Sequence, residues 1–222
     1  MDLNLINIKQ NSQIDEFINQ TDKKLNNLNF TDHGRRHANI VCDRAVKIAK
    51  TIRLSQSEIK YSAIAGYCHD IGNFIDRKLH HYWGSLLFHQ IFTNKTSDIE
   101  GLSTIVQAIA NHDKEEARLT NNTSAVLIIA DKSDVHKDRV KERDKYKIMK
   151  EIHNRVNYSI LRNDLDINKD TKIITLLLKL NTKTTTIMDY FEIFLDRMKY
   201  CRSSANYLGY KFKLIINDFS LI

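Results

Sequence analysis

The chain has 222 residues, 42% of them hydrophobic and 27% charged, an ordinary globular composition with enough length to bury a core. No apolar run reaches the roughly 18–20 residues of a membrane span, and the opening MDLNLINIKQNSQIDEF lacks the basic-then-apolar shape of a secretion signal. The formal charge of +7 suits anionic partners, but the densest basic stretch, HKDRVKERDKYK, is interleaved with acids and reads as a solvated helix face, which leaves nucleic acid an open partner.

In chain order, Ala38, Val41, Ala45, Ile48, Ala49 and Ile52 recur at three-to-four spacing and predict an amphipathic helix opening near Thr31 or Asp32. Ser55-Gln-Ser-Glu58 is a capping box: the serine hydroxyl accepts from the backbone N–H of Glu58, whose carboxylate reaches back in return. Leu54 and Ile59 flank it as a hydrophobic staple, and the helix it opens is predicted to run to Gly72. Trp83, Leu87, Phe88 and Ile91 predict another amphipathic helix. Ser97-Asp-Ile-Glu100 reads as a second capping box ahead of the stripe Leu102, Ile105, Val106 and Ile109. SAVLIIAD is apolar on every side, as a helix at the centre of a bundle would be.

The period changes after about residue 154. In KIITLLLKLN, Ile174, Leu176, Leu178 and Leu180 share one face at period two, and VNYSILRNDLDI can pair with it across a turn at NKD, residues 168–170. Ile187, Tyr190, Phe191, Phe194, Leu195, Met198, Ala205 and Leu208 then predict a long helix ending at Gly209. YKFKLIIN returns to alternation through Phe212, Leu214 and Ile216. The expected fold is mainly α: a helical bundle over 1–153, followed over 154–222 by a small α+β unit with a short antiparallel sheet and one long helix. With no linker between them the two parts should pack together, and an open sheet edge would permit a homodimer.

Cys42, Cys68 and Cys201 are scattered without a CxxC pair and read as reduced core thiols, so a cytoplasmic protein is expected. The nine histidines carry the stronger signal. His37, His69-Asp70, His80-His81, His112 and Asp131 each fall near the end of a predicted helix or on an apolar one. A buried carboxylate costs several kcal/mol unless it is paired or bound to a cation, and no Arg or Lys lies within a turn before Asp131. Neighbouring helical side chains diverge by roughly 100 degrees, so His69 can face one metal while the two oxygens of Asp70 bridge to a second. Imidazole and carboxylate without thiolate suit Mn, Fe, Ni, Co or Mg better than a structural zinc. No GxSxG element or glycine-rich phosphate loop offers a different chemistry.

HGRRH at 33–37, HD at 69–70 and Asp131 in IIADKSD resemble the H…HD…D signature of the HD superfamily of metal-dependent phosphohydrolases, over roughly residues 30–140. The resemblance implies an all-α bundle with divalent metal ions, two in some members, at its middle. His37, His69, Asp70 and Asp131 would hold the first ion. The stretches HHYWGS and ANHDKEE match the elements that complete a second site, giving His80 or His81, with the HxxxG pattern favouring His80, and His112. The activity implied is hydrolysis of a small phosphate-containing substrate, such as a nucleotide, by metal-activated water. Asp70 would hold the nucleophile's metals, and Lys132 and Arg36 would steady charge on the phosphate. Lys132 could equally pair with Asp131 or Asp134, and Arg139 and Arg143 could add to a phosphate-attracting rim. Two alternatives fit the same ligands: a mixed-valent di-iron oxygenase and a non-catalytic metal- or nucleotide-binding regulatory module. HDIGNF has Asn73 and no GYP element follows His112, unlike the subgroup that cleaves cyclic di-GMP.

Overall fold

The computed structural model describes residues 3–114 and 119–221; Glu115 and Glu116 of the ANHDKEE stretch lie outside the described residues. Seven helices precede the long central loop: α1 (Leu5–Lys9), α2 (Ser12–Asn27), α3 (Arg35–Thr51), α4 (Gln56–Cys68), α5 (His80–Phe92), α6 (Ile99–Asn111) and α7 (Asn122–Lys132). Helix α7 lies at the centre, buried at every position from Thr123 to Lys132, as its all-round apolar sequence requires, and packs on α3, α4 and α6. Helices α3 and α4 cross closely at Gly66, where an added Cβ would stand 3.0 Å from the Cys42 Cα.

The capping box of α4 forms as expected, with Glu58 N–H donating to Ser55 Oγ at 3.2 Å and Ser55 N–H donating to Glu58 Oε2 at 2.9 Å. Three helix ends depart from expectation. Helix α3 opens at Arg35 behind Gly34, later than Thr31 or Asp32, because the Asp32 carboxylate accepts from the Gly34 N–H at 3.1 Å and holds a turn there. Helix α4 stops at Cys68 rather than Gly72, and successive turns take over, closed by Asn73 N–H to Asp70 O at 3.0 Å and Ile75 N–H to Gly72 O at 3.0 Å. Helix α6 is capped by Asp98, not by the Ser97 box: Asp98 Oδ1 accepts from Gly101 N–H at 2.9 Å while Lys60 and Tyr61 hold the same carboxylate.

The basic stretch HKDRVKERDKYK is not one solvated helix face. It forms a 3-10 turn at Lys137–Arg139, an extended segment and then α8 (Lys145–Lys150), and it delivers Arg139 to the interior, 3% exposed, while Arg143 is exposed. Helix α9 (Ile152–Ser159) leads into strand β1 (Ile160–Asn168), which pairs antiparallel with β2 (Ile173–Leu180). In the intervening turn, Asn168 Oδ1 accepts from the backbone of Asp170 and Thr171, and Lys172 takes a left-handed φ of 53°.

Helix α10 (Ile187–Tyr207) follows a second capping box, Thr186 with Asp189, and Gly209 just past its end has φ +76°. Strand β3 (Lys211–Ile216) then lies parallel to β2, and β4 (Phe219–Ser220) pairs antiparallel with β3. The sheet, ordered β1-β2-β3-β4, is therefore mixed rather than antiparallel, because α10 carries the chain back across the sheet before β3 begins. Ile174, Leu176, Leu178, Leu180, Phe212, Leu214 and Ile216 are buried, as are Tyr190, Phe194, Met198, Cys201 and Ala205 of α10, which packs on both β3 and α7. One cluster of buried apolar side chains thus runs from Leu3 to Ile216. All three cysteines are free and buried; burial pushes the Cys42 thiol up to about 11 and Cys201 up to about 12. No helix among the described residues is long and apolar enough to cross a membrane.

Candidate metal centre

Five helix ends converge at the middle of the bundle. His37 lies in the first turn of α3, His69 and Asp70 follow the end of α4, His80 opens α5, His112 ends α6 and Asp131 stands in the last turn of α7. Three of these ends are C-termini, whose partial negative charge favours a cation, against two N-termini. The turn between α4 and α5 is drawn tight by glycine: a Cβ on Gly72 would collide with the carbonyl oxygen of His80 and the backbone nitrogen of Gly84. That contact sets the His69-Asp70 turn against the start of α5.

The side chains form two groups that share Asp70. In the first, His37 Nε2 lies 3.2 Å from Asp131 Oδ1 and 3.6 Å from Asp70 Oδ2, while His69 Nε2 lies 3.2 Å from Asp70 Oδ2 and 3.6 Å from Asp131 Oδ1. The His37 and His69 Nε2 atoms are themselves 3.2 Å apart. In the second, His80 Nε2 lies 3.1 Å from His112 Nε2 and 3.4 Å from Asp70 Oδ1, with His112 Nε2 3.9 Å from the same oxygen. Metal–ligand bonds of about 2.1 Å place neighbouring ligand atoms about 3.0 Å apart in an octahedron and about 3.4 Å apart in a tetrahedron. Most of these separations fall within or near that range.

The opposite ring nitrogens explain why every Nε2 faces inward. His69 Nδ1 bonds to Gly66 O at 2.9 Å, His80 Nδ1 to Arg77 O at 2.9 Å and His112 Nδ1 to Ile109 O at 2.7 Å, each to a carbonyl three residues earlier. A carbonyl only accepts, so each Nδ1 carries a proton and each Nε2 is turned toward the cluster, where it offers a lone pair whenever the ring is neutral. His37 Nδ1 bonds instead to the Asp134 carboxylate at 2.7 Å. Two pairs of facing imidazole nitrogens, with a buried Asp70 Oδ2 that has no hydrogen-bond partner, form a set of donors matched to cations. Three overlapping groups, His37-His69-Asp70, His69-His112-Asp131 and Asp70-His80-His112, could hold a metal ion.

The electrostatics agree with the geometry. Burial alone would raise the carboxyl groups of Asp70 and Asp131; against it, His69 holds Asp70 and Lys132 holds Asp131 well below the ordinary carboxylate range. Burial alone would lower His69, but the Asp70 and Asp131 carboxylates raise it to about 10, so a proton stands in for a cation when no metal is bound. Burial depresses His80, and burial together with the His69 charge depresses His112, so both rings stay neutral.

Among the expected site residues, His37, His69, Asp70, His80, His112 and Asp131 come together. His81 does not join them; its ring lies against Tyr82, and its buried Nδ1 has no hydrogen-bond partner. Lys132 sits beside the cluster, 2.9 Å from Asp131 Oδ2 and paired with Asp113, not with Asp134. Arg36 is turned away: its guanidinium bonds to Asp134 at 3.0 Å and Asp32 at 3.3 Å, on the Nδ1 side of His37. Asp134 therefore orients His37, and Arg36 braces Asp134.

Sequence reasoning passed over His33, Asp113, Arg77 and Arg197, and took Asp134 only as a partner for Lys132. Two signals were present: Asp113 makes a second His-Asp dipeptide with His112, and Asp134 follows Asp131 at helical spacing. The cluster opens into a cavity of about 20 Å³, large enough for ions or water, lined by Asp70, His80, His112 and Asp131 together with Arg77, Lys132, Arg139 and Arg197. His33, Arg77 and Arg197 also line an adjoining cleft of about 230 Å³ that reaches Phe30 and His153.

No family model matches the chain. It is similar to the uncharacterized protein MJ1020 of Methanocaldococcus jannaschii, 26% identical over 152 aligned residues, and the match spans 59% of this chain and 58% of that protein. What stands on these findings is a helical bundle compatible with an HD-type fold, holding a buried histidine–aspartate cluster able to bind metal.

Proposed function

We propose that the chain is an HD-type metal-dependent phosphohydrolase acting on a nucleotide or another phosphate ester. The observation that carries this reading is the division of Asp70, one oxygen toward His37 and His69 and the other toward His80 and His112. Such a donor set suits a pair of divalent ions, which when bound supply Lewis acidity and bring the pKa of water near neutrality. In this reading, His37, His69, Asp70 and Asp131 hold one ion, and Asp70, His80 and His112 hold the other.

The remaining groups orient and balance charge. In this reading Lys132, whose ammonium lies between Asp131 and Asp113 and lines the cavity, would meet a phosphoryl oxygen. Arg36 acts at one remove, through Asp134 on His37, and is a positioning residue rather than a phosphate contact.

The test is metal analysis of protein purified without chelator, paired with a screen of nucleotides, cyclic nucleotides and generic phosphoesters. Bound Mn, Fe, Ni, Co or Mg with release of phosphate or a nucleoside phosphate supports the reading. A coloured, iron-loaded protein that consumes oxygen and cleaves no phosphoester overturns it in favour of an oxygenase. Intact metal with silence across the panel overturns it in favour of a regulatory module.

A further inference from the structure

Most cations around the centre are already committed. Lys132 pairs with Asp131 and Asp113, and Arg36 with Asp134 and Asp32. Arg139 donates to the backbone oxygens of Asp32 and Asp134 and has its Nε 3.8 Å from the Asp134 carboxylate. Arg77 and Arg197 differ. Arg77 donates to Asn73 Oδ1 at 2.9 Å and lies over the Phe30 ring at 5.7 Å; Arg197 lies over the Phe194 ring at 4.8 Å. Among the described residues neither guanidinium pairs with a carboxylate, yet both line the metal cavity and both line the cleft beside it.

This arrangement sets two guanidiniums where cavity and cleft adjoin, with the carboxylates of Asp70, Asp113 and Asp131 on the cavity side and Glu151 on the cleft side. Burial and the neighbouring Arg139 guanidinium depress Arg197, and the charges of Asp131 and Asp113, neither of which forms an ion pair with it, offset this only in part. Both guanidiniums are half-buried; a partly desolvated cation with no carboxylate partner among the described residues is costly, a second cation beside it adds to the cost, and an anion bridging the two offsets both penalties. Arg77 is also tied to the centre itself, because the Asn73 amide that accepts from it donates to Asp70 Oδ1 at 2.8 Å. Guanidinium groups suit this task, since their planar forks match the oxygens of a phosphate.

We infer that Arg77 and Arg197 form an oxyanion clamp at the mouth of the metal cavity, gripping the phosphate group of the substrate while the rest of the ester lies in the cleft along Phe30. The inference rests on reading the centre as a phosphate site and extends it to the specificity-determining residues. It also gives the C-terminal unit a place in the site, because Arg197 belongs to α10.

The test uses the full chain and inorganic phosphate as the probe. Calorimetric phosphate binding and thermal melting are measured with and without added manganese for the parent protein, Arg197→Ala, Arg197→Lys and Arg77→Ala. The parent should bind phosphate and melt higher in its presence. Arg197→Ala and Arg77→Ala should each weaken binding by about 10- to 100-fold and lose most of the melting shift, with metal content unchanged. Arg197→Lys should recover binding only in part. Without phosphate, Arg197→Ala should melt no lower than the parent, which separates lost binding from lost folding. Parent-like phosphate affinity in Arg197→Ala, or no phosphate binding by the parent, overturns the clamp. The two readings fail separately: a protein that binds phosphate through Arg197 but cleaves no ester keeps the clamp and loses the hydrolase, and the converse result does the reverse.

Discussion

Asp70 outranks its neighbours because its two oxygens face different imidazole pairs. Asp70→Ala should abolish bound metal and all phosphoester hydrolysis while far-UV circular dichroism keeps its helical signal; elemental analysis of the variant gives the first check. Asp134 should matter at one remove. Asp134→Asn leaves the His37 ring an acceptor but removes the charge that fixes its tautomer and orientation, so metal affinity should fall by roughly 10- to 100-fold in a competition titration with a chelating dye. Arg36→Ala should shift affinity the same way by a smaller amount and leave the KM of a phosphoester substrate nearly unchanged, as suits a brace rather than a substrate contact. At this scale the sequence was informative where a residue type is costly to bury. His69, Asp70 and Asp131 stand out in apolar runs, whereas Arg197 lies on an amphipathic helix whose pattern looks the same whether its polar face meets water or an active site.

Elements met at their ends are where periodicity was least informative. The apolar stripes placed the helices, but the start of α3 depends on an aspartate side chain holding a turn, and the end of α4 on turns built around Asn73 and Gly72. Those two ends carry His37, His69 and Asp70, so the least legible parts of the helices are the ones that build the site. Gly72 shows how closely the elements are set. Gly72→Ala would push its methyl group into the start of α5 and should cost about 1–3 kcal/mol, as overpacking does, together with a loss of metal because His80 moves. Urea denaturation and metal content measure the two effects. Gly84→Ala, whose Cβ would meet its nearest neighbours at 3.3 Å, should cost less on both counts.

Across the whole molecule, stability should depend on pH through His69 when metal is absent. The folded chain holds the His69 proton up to about 10 against an ordinary 6.5, so its stabilising contribution is complete below 6.5 and is lost as pH rises toward 10. His80 and His112 act on the acid side: their depressed values make the fold lose stability as pH drops below the usual histidine range. Metal-free protein should therefore melt at the highest temperature near neutrality and progressively lower toward alkaline pH, and His69→Gln should flatten the alkaline decline. The whole-molecule feature least visible in the sequence was the sheet. Alternation located β2 and β3, yet their parallel pairing comes from the α10 crossover, which local patterning does not encode. In the proposed two-ion reading, the division of Asp70 between two imidazole pairs has a last consequence, for supply. The half built from His37, His69 and one Asp70 oxygen has Asp131 within 3.6 Å of both its imidazoles, whereas in the half built from His80 and His112 the second acid, Asp113, stands 3.7 Å from His80 Nε2, so scarce metal should fill the first half first. Once filled, it fixes Asp70 for the other half, and activity plotted against added metal should stay near zero through the first equivalent and rise only with the second.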